Sequence, residues 1–150
     1  MTDEVAKPKR VRKVAEPILY PITDEDWLEI KHYVEKWRPL LGLKDWRISL
    51  MKKRYKGKDL GWVEMFLDAK LARVWVSESW GSEPKDPGEA EQFVIHELLH
   101  VRNKGMLAFA ADHGASSHED VLSEEHSQIN ILEDLLFNAY GDKHGPVQTK

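Results

Sequence analysis

The chain has no cysteine. Disulfides, thiolate metal sites and cysteine nucleophiles are therefore excluded, and any bound metal must be held by histidine and carboxylate. Long apolar runs are missing as well. No segment approaches about 18 uncharged apolar residues, and the first twenty carry charge where a signal peptide needs an uninterrupted hydrophobic stretch. Neither a membrane span nor a secretory leader is expected, and the expected location is cytoplasmic. Internal repeats and low-complexity blocks are also absent.

What is present fits one ordinary soluble domain. With 150 residues, of which 41% are hydrophobic and 32% charged, the chain can build one core but not two. The net charge of −4 is unevenly spread. Lys7, Lys9, Arg10, Arg12 and Lys13 gather in a proline-containing segment, read as a flexible basic arm over 1–16 that could make weak contact with nucleic acid through phosphate charge. A domain over 17–141 and a short tail over 142–150 complete the expected organisation.

Thr23 followed by Asp24, Glu25 and Asp26 has the form of a capping box, and Trp27, Ile30, Val34 and Trp37 follow at helical spacing. This helix is predicted to stop before Pro39, with Leu40, Leu41 and Gly42 as a turn. From Trp46 the period changes to two: Trp46, Ile48 and Leu50 alternate with polar residues, and 61–67 and 71–77 are short segments rich in valine and aromatics. A three-stranded, mainly antiparallel sheet is expected, followed by a loop over 80–88. Asp86-Pro87-Gly88-Glu89 starts a second helix, predicted to end at Lys104 with Gly105 as its left-handed cap. The segment 106–111 has no assigned structure, and 112–115 is read as a loop. Ser116 and Glu119 open a third helix whose apolar stripe is Val121, Leu122, Ile129, Leu132, Leu136 and Ala139, ending near Gly141. The fold class is α+β. The six tryptophans, at positions 27, 37, 46, 62, 75 and 80, are read as core anchors, with Trp80 a candidate for the rim of a cleft.

The chemistry concentrates in His96-Glu97-Leu98-Leu99-His100. Residues four apart on a helix share one face, so His96 and His100 can present two imidazole nitrogens to one ion, with Glu97 beside them. The simpler alternative is two structural histidines bracketing an acid. It conflicts with the apolar character of this helix, where three ionisable groups on one face are costly unless an ion or a partner satisfies them. A catalytic zinc usually takes a third protein ligand and keeps one position open. The continuation needed for a third histidine in the metzincin pattern is missing, because Asn103 and Met106 occupy those places. Glu125 falls within the stripe of the third helix and is the preferred third ligand. Glu124, His113, His118 and His126 remain alternatives, and a helix-terminal carboxylate favoured by the dipole is the plainer reading of Glu125.

These features resemble the gluzincins. More narrowly, Trp46-Arg47-Ile48, then Ala72-Arg73-Val74-Trp75-Val76, then Val94-Ile95 leading into the HELLH segment, are similar to minimal zinc metallopeptidases of phages and prophages, SprT-like in layout. The resemblance spans 46–136 and implies a zincin-like fold: an N-terminal helix, a small sheet, an active-site helix and a C-terminal helix carrying the third ligand. It implies zinc as cofactor, held by His96, His100 and Glu125, and hydrolysis of a protein or peptide substrate with Glu97 as general base. A phage origin would put the protein in the host cytoplasm. The strand over 71–79 would lie at the sheet edge and pair with substrate. His113, His118 and Tyr140 are considered for oxyanion stabilisation, although loop or packing roles account for them more simply. The competing function is a zinc-stabilised binding module without catalysis, directed to DNA by the basic arm.

Overall fold

The computed structural model describes residues 18–52, 59–112 and 118–142. The basic arm, most of the C-terminal tail, His113 and the capping pattern at Ser116 lie outside the described residues. Within them the order is β1 (Tyr20–Pro21), α1 (Asp24–Leu40), β2 (Arg47–Lys52), β3 (Gly61–Phe66), β4 (Leu71–Val76), β5 (Ser79–Gly81), α2 (Glu89–Asp112) and α3 (His118–Tyr140). The chain is α+β, as its patterning indicates. No described helix is long and apolar enough to cross a membrane.

Helix α1 begins at the expected capping box. Thr23 Oγ1 accepts from the Asp26 backbone N at 3.1 Å, and Asp26 Oδ2 accepts from the Thr23 N at 2.9 Å. Asp26 also takes the Trp80 indole N–H at 3.0 Å and pairs with the Lys85 ammonium at 2.6 Å, which ties the loop after β5 to the start of α1. Burial alone would raise the Asp26 pKa, but these donors outweigh it and bring the group down to about 2. Trp80 is thus a clasp on α1, not the expected rim of the cleft. The far end of α1 corrects another expectation, since Pro39 lies inside the helix. Proline in the last turn removes only one internal hydrogen bond, and the stop comes instead at Gly42. With φ +75°, this glycine allows the Leu43 N to reach the Arg38 carbonyl at 2.9 Å and its own N to reach that of Pro39 at 3.1 Å.

The three-stranded sheet has the order β2-β4-β3. β3 and β4 form the expected antiparallel hairpin, whereas β2 runs parallel to β4, so the sheet is mixed. A period of two is the same in parallel and antiparallel strands, and alternation therefore could not reveal this direction. The strand over 71–76, expected at the sheet edge, is also not an edge: β4 sits in the centre, and β3 presents an edge that is free among the described residues, towards α2. A second small sheet pairs β1 with β5; β1 had no assigned structure, and β5 falls largely in the stretch expected to be a loop.

Ala72, Val74 and Val76 on one face of β4 are buried against Ile30, Tyr33, Val34 and Trp37 of α1 and Val94, Ile95, Leu98, Leu99 and Val101 of α2. The opposite face carries Trp62, 44% exposed and stacked on Trp75, so the tryptophans do not all serve the core. Glu91, fully buried, joins three parts of the chain. It accepts from Lys36 Nζ and Trp37 Nε1, each at 2.7 Å, and from the Asp142 N at 2.5 Å. Helix α2 passes through Gly105 to Asp112, correcting the expected cap. A glycine within a helix costs only about 1 kcal/mol relative to alanine, and the good helix formers on either side outweigh that.

Candidate metal centre

Helix α2 carries the HELLH segment through the middle of the molecule, with Ile95, Leu98 and Leu99 on its core side. The same helical period turns His96, Glu97 and His100 the other way, into a cavity of about 650 Å³ between β3, α2 and α3. Helix α3 returns across α2 with Ile129 buried at the crossing, and it delivers Glu125, His126 and Glu133 to that cavity.

Three imidazoles converge there. Ring centroids are 5.0 Å apart for His96 and His100, 4.8 Å for His100 and His126, and 6.0 Å for His96 and His126. One nitrogen from each lies within 4.8 Å of the other two, a group that can hold a metal ion. The outer side of the motif pair is fixed by carboxylates: Glu133 Oε2 is 2.8 Å from His96 Nδ1, and Glu125 Oε1 is 3.3 Å from His100 Nδ1. A carboxylate accepting from Nδ1–H leaves Nε2 as the free lone pair, the arrangement that orients histidine ligands in metal sites.

The three imidazoles can therefore hold a metal ion. His96 and His100 stand where their spacing put them. His126, one of the alternatives to Glu125, is the third imidazole of the group, while Glu125 is buried behind His100. The difference is a rotation of α3. Leu132, expected to face inward, is 39% exposed, and the inward line runs through Glu125, Ile129, Glu133 and the half-buried Leu136 and Phe137. Glu133 is a site residue that the apolar stripe of α3 does not mark. Its spacing of two turns and a residue from Glu125 would have marked it. Tyr140, a candidate for oxyanion stabilisation, is at the other end of α3, where its carbonyl accepts from Lys36.

The electrostatics follow from burial and crowding. His100 is pushed down to about 4 by burial and by the positive charges of His96, His126 and Lys104, which keeps it in the neutral form that can ligate. For His96 burial also acts downward, yet the hydrogen bond it donates to Glu133 and the charges of Glu97, Glu133 and Glu125 carry its pKa above the ordinary value. Glu97, 6% exposed, rises to about 7 through burial, with Glu133 and Asp59 adding to the effect and His96 opposing it. Burial likewise raises Glu125.

No protein-family model, curated protein or solved structure matches the chain.

Proposed function

We propose that this protein is a zinc-dependent peptidase, with His96, His100 and His126 holding the ion. The observation that carries the reading is the convergence of three imidazoles beside a buried carboxylate, Glu97, which has no hydrogen-bond partner among the described residues, at the floor of an open cavity. A divalent ion there supplies Lewis acidity, polarising a carbonyl and making water a nucleophile at neutral pH.

The chain's own part is proton handling and alignment. A carboxylate with a pKa of about 7 is matched to both halves of the task at neutral pH: it can take a proton from the attacking water and return it to the leaving nitrogen. Glu125 and Glu133 keep two rings in one tautomer, which removes a reorganisation step. The outer edge of β3, unpaired among the described residues, borders the cavity through Val63 and Met65 and would take an extended peptide as an added strand. Leu60, Val63 and Phe93 line the apolar side of that groove.

The test is to load the purified protein with zinc and measure cleavage of an unstructured protein substrate, with Glu97→Gln as the comparison. Loss of at least 100-fold in rate with unchanged zinc content is expected for a missing general base. Cleavage that persists in Glu97→Gln would remove the residue from the mechanism. Zinc bound at one per chain without cleavage of any substrate would reduce the centre to a structural role.

A further inference from the structure

The cavity wall has more negative charge than the proposed chemistry uses. Five carboxylates line it, from Asp59, Glu89, Glu97, Glu125 and Glu133, against the single ammonium of Lys104 among the described residues. Two of the five are engaged with imidazoles, and Glu97 is assigned to proton transfer. Even a divalent ion leaves the wall with surplus negative charge, so balancing an ion does not explain Asp59 and Glu89.

Asp59, just before β3, makes no hydrogen bond or ion pair among the described residues and lines the same cavity as Glu97. Glu89, in the first turn of α2, has one oxygen on the Asp86 N and shares the cavity with Gln92. Between these carboxylates the wall is apolar, formed by Leu60, Val63, Met65 and Phe93. An aliphatic stem beside apolar side chains with a charged head near carboxylates is the environment suited to lysine and arginine. Glu97 is an independent pointer to a ligand: at 6% exposure it meets no hydrogen-bond donor among the described residues and opens into the same space.

We infer that the cleft selects extended peptides with a lysine or arginine side chain next to the bond held at the centre, and that Asp59, aided by Glu89, reads that charge. This rests on the peptidase reading of the cavity. Facing carboxylates at a partly open rim act by steering and selectivity more than by raw affinity, so the preference should be strongest at low salt.

The test uses zinc-loaded full-length Glu97→Gln protein and fluorescent peptides identical except for one position: lysine, its uncharged isostere norleucine, or glutamate. The lysine peptide should bind about ten-fold tighter than the norleucine peptide at low ionic strength, with glutamate weakest, and the gap should narrow as salt is raised. Adding Asp59→Asn and Glu89→Gln should erase the difference between lysine and norleucine while norleucine binding stays the same. Equal binding of all three peptides, or a lysine preference that survives both substitutions, would overturn the inference and leave the peptidase reading intact. Failure of every peptide to bind would bring down both.

Discussion

The clearest disagreement between spacing and structure concerns the third ligand, and two substitutions decide it. In His126→Ala the cluster loses one of three nitrogens that lie within 4.8 Å of each other, leaving an ion with the two rings of α2. In Glu125→Gln those three nitrogens remain, and only the carboxylate 3.3 Å from His100 Nδ1 becomes neutral. Outer partners of this kind are worth about 10- to 100-fold in metal affinity, or roughly 1.4–2.8 kcal/mol, whereas loss of a coordinating atom should exceed that range. A thermal shift converts the affinities into a readable scale. At free zinc about 1,000 times the dissociation constant, binding stabilises the native state by ~4.1 kcal/mol, and a site weakened 100-fold keeps only ~1.4 kcal/mol. For a chain of this size each kcal/mol moves the midpoint by roughly 2–4 °C, so the wild-type zinc shift of about 10 °C should fall to a few degrees in Glu125→Gln and vanish in His126→Ala. Competition with a chromophoric chelator gives the same order directly. The reverse order, with His126→Ala near wild type and Glu125→Gln devoid of zinc, would refute the three-imidazole centre and make Glu125 the ligand.

Two further outcomes follow from buried acids. Glu97 has its pKa raised from 4.5 to about 7 in the fold, so the native state holds this proton more tightly than the unfolded chain does; the associated stability is complete below pH 4.5 and lost as pH rises through 7. Metal-free Glu97→Gln should accordingly gain on the metal-free wild type by on the order of 3 kcal/mol between pH 4.5 and 8, and parallel stability curves in urea across that range would contradict it. Glu91→Ala leaves the Lys36 ammonium and the Trp37 indole N–H without their buried acceptor; a loss of about 3–5 kcal/mol in denaturant unfolding is expected, and less than 1 kcal/mol would mean that water replaces the carboxylate.

Local chemistry was readable where one short segment decides the outcome. The Thr23 and Asp26 capping box, the hairpin of β3 and β4, and the pairing of His96 with His100 each depend on residues within a few positions of each other. What could not be read required information from across the chain. β2 has the same alternation whether it joins β4 in parallel or antiparallel sense, and the direction is set by how distant strands assemble. That choice places β4 in the middle and hands the free edge, with Val63 and Met65, to the strand one hairpin earlier. The strand expected at the sheet edge is thus the central arm of a correctly identified hairpin.

The third ligand depends on rotation in the same way. Neighbouring residues on a helix differ by about 100°, so Glu125 and His126 cannot both occupy the centre of one inward face. Apolar spacing with Leu132 as part of the stripe favours Glu125 at that centre. Placing Glu133 on the inward line and leaving Leu132 at 39% exposure turns the helix enough to bring His126 towards the other two rings. The packing energy that sets this angle is concentrated below the site, where Ile129 is fully buried and Phe137 fits against Gly88, a glycine held at φ +88°. A side chain at position 88 would collide with the Phe137 ring, so the close approach of α3 to the start of α2 requires glycine there. Two contacts without any metal-binding chemistry, Ile129 on α2 and Phe137 on Gly88, therefore fix which donor of α3 reaches the imidazoles and which carboxylates stand behind them.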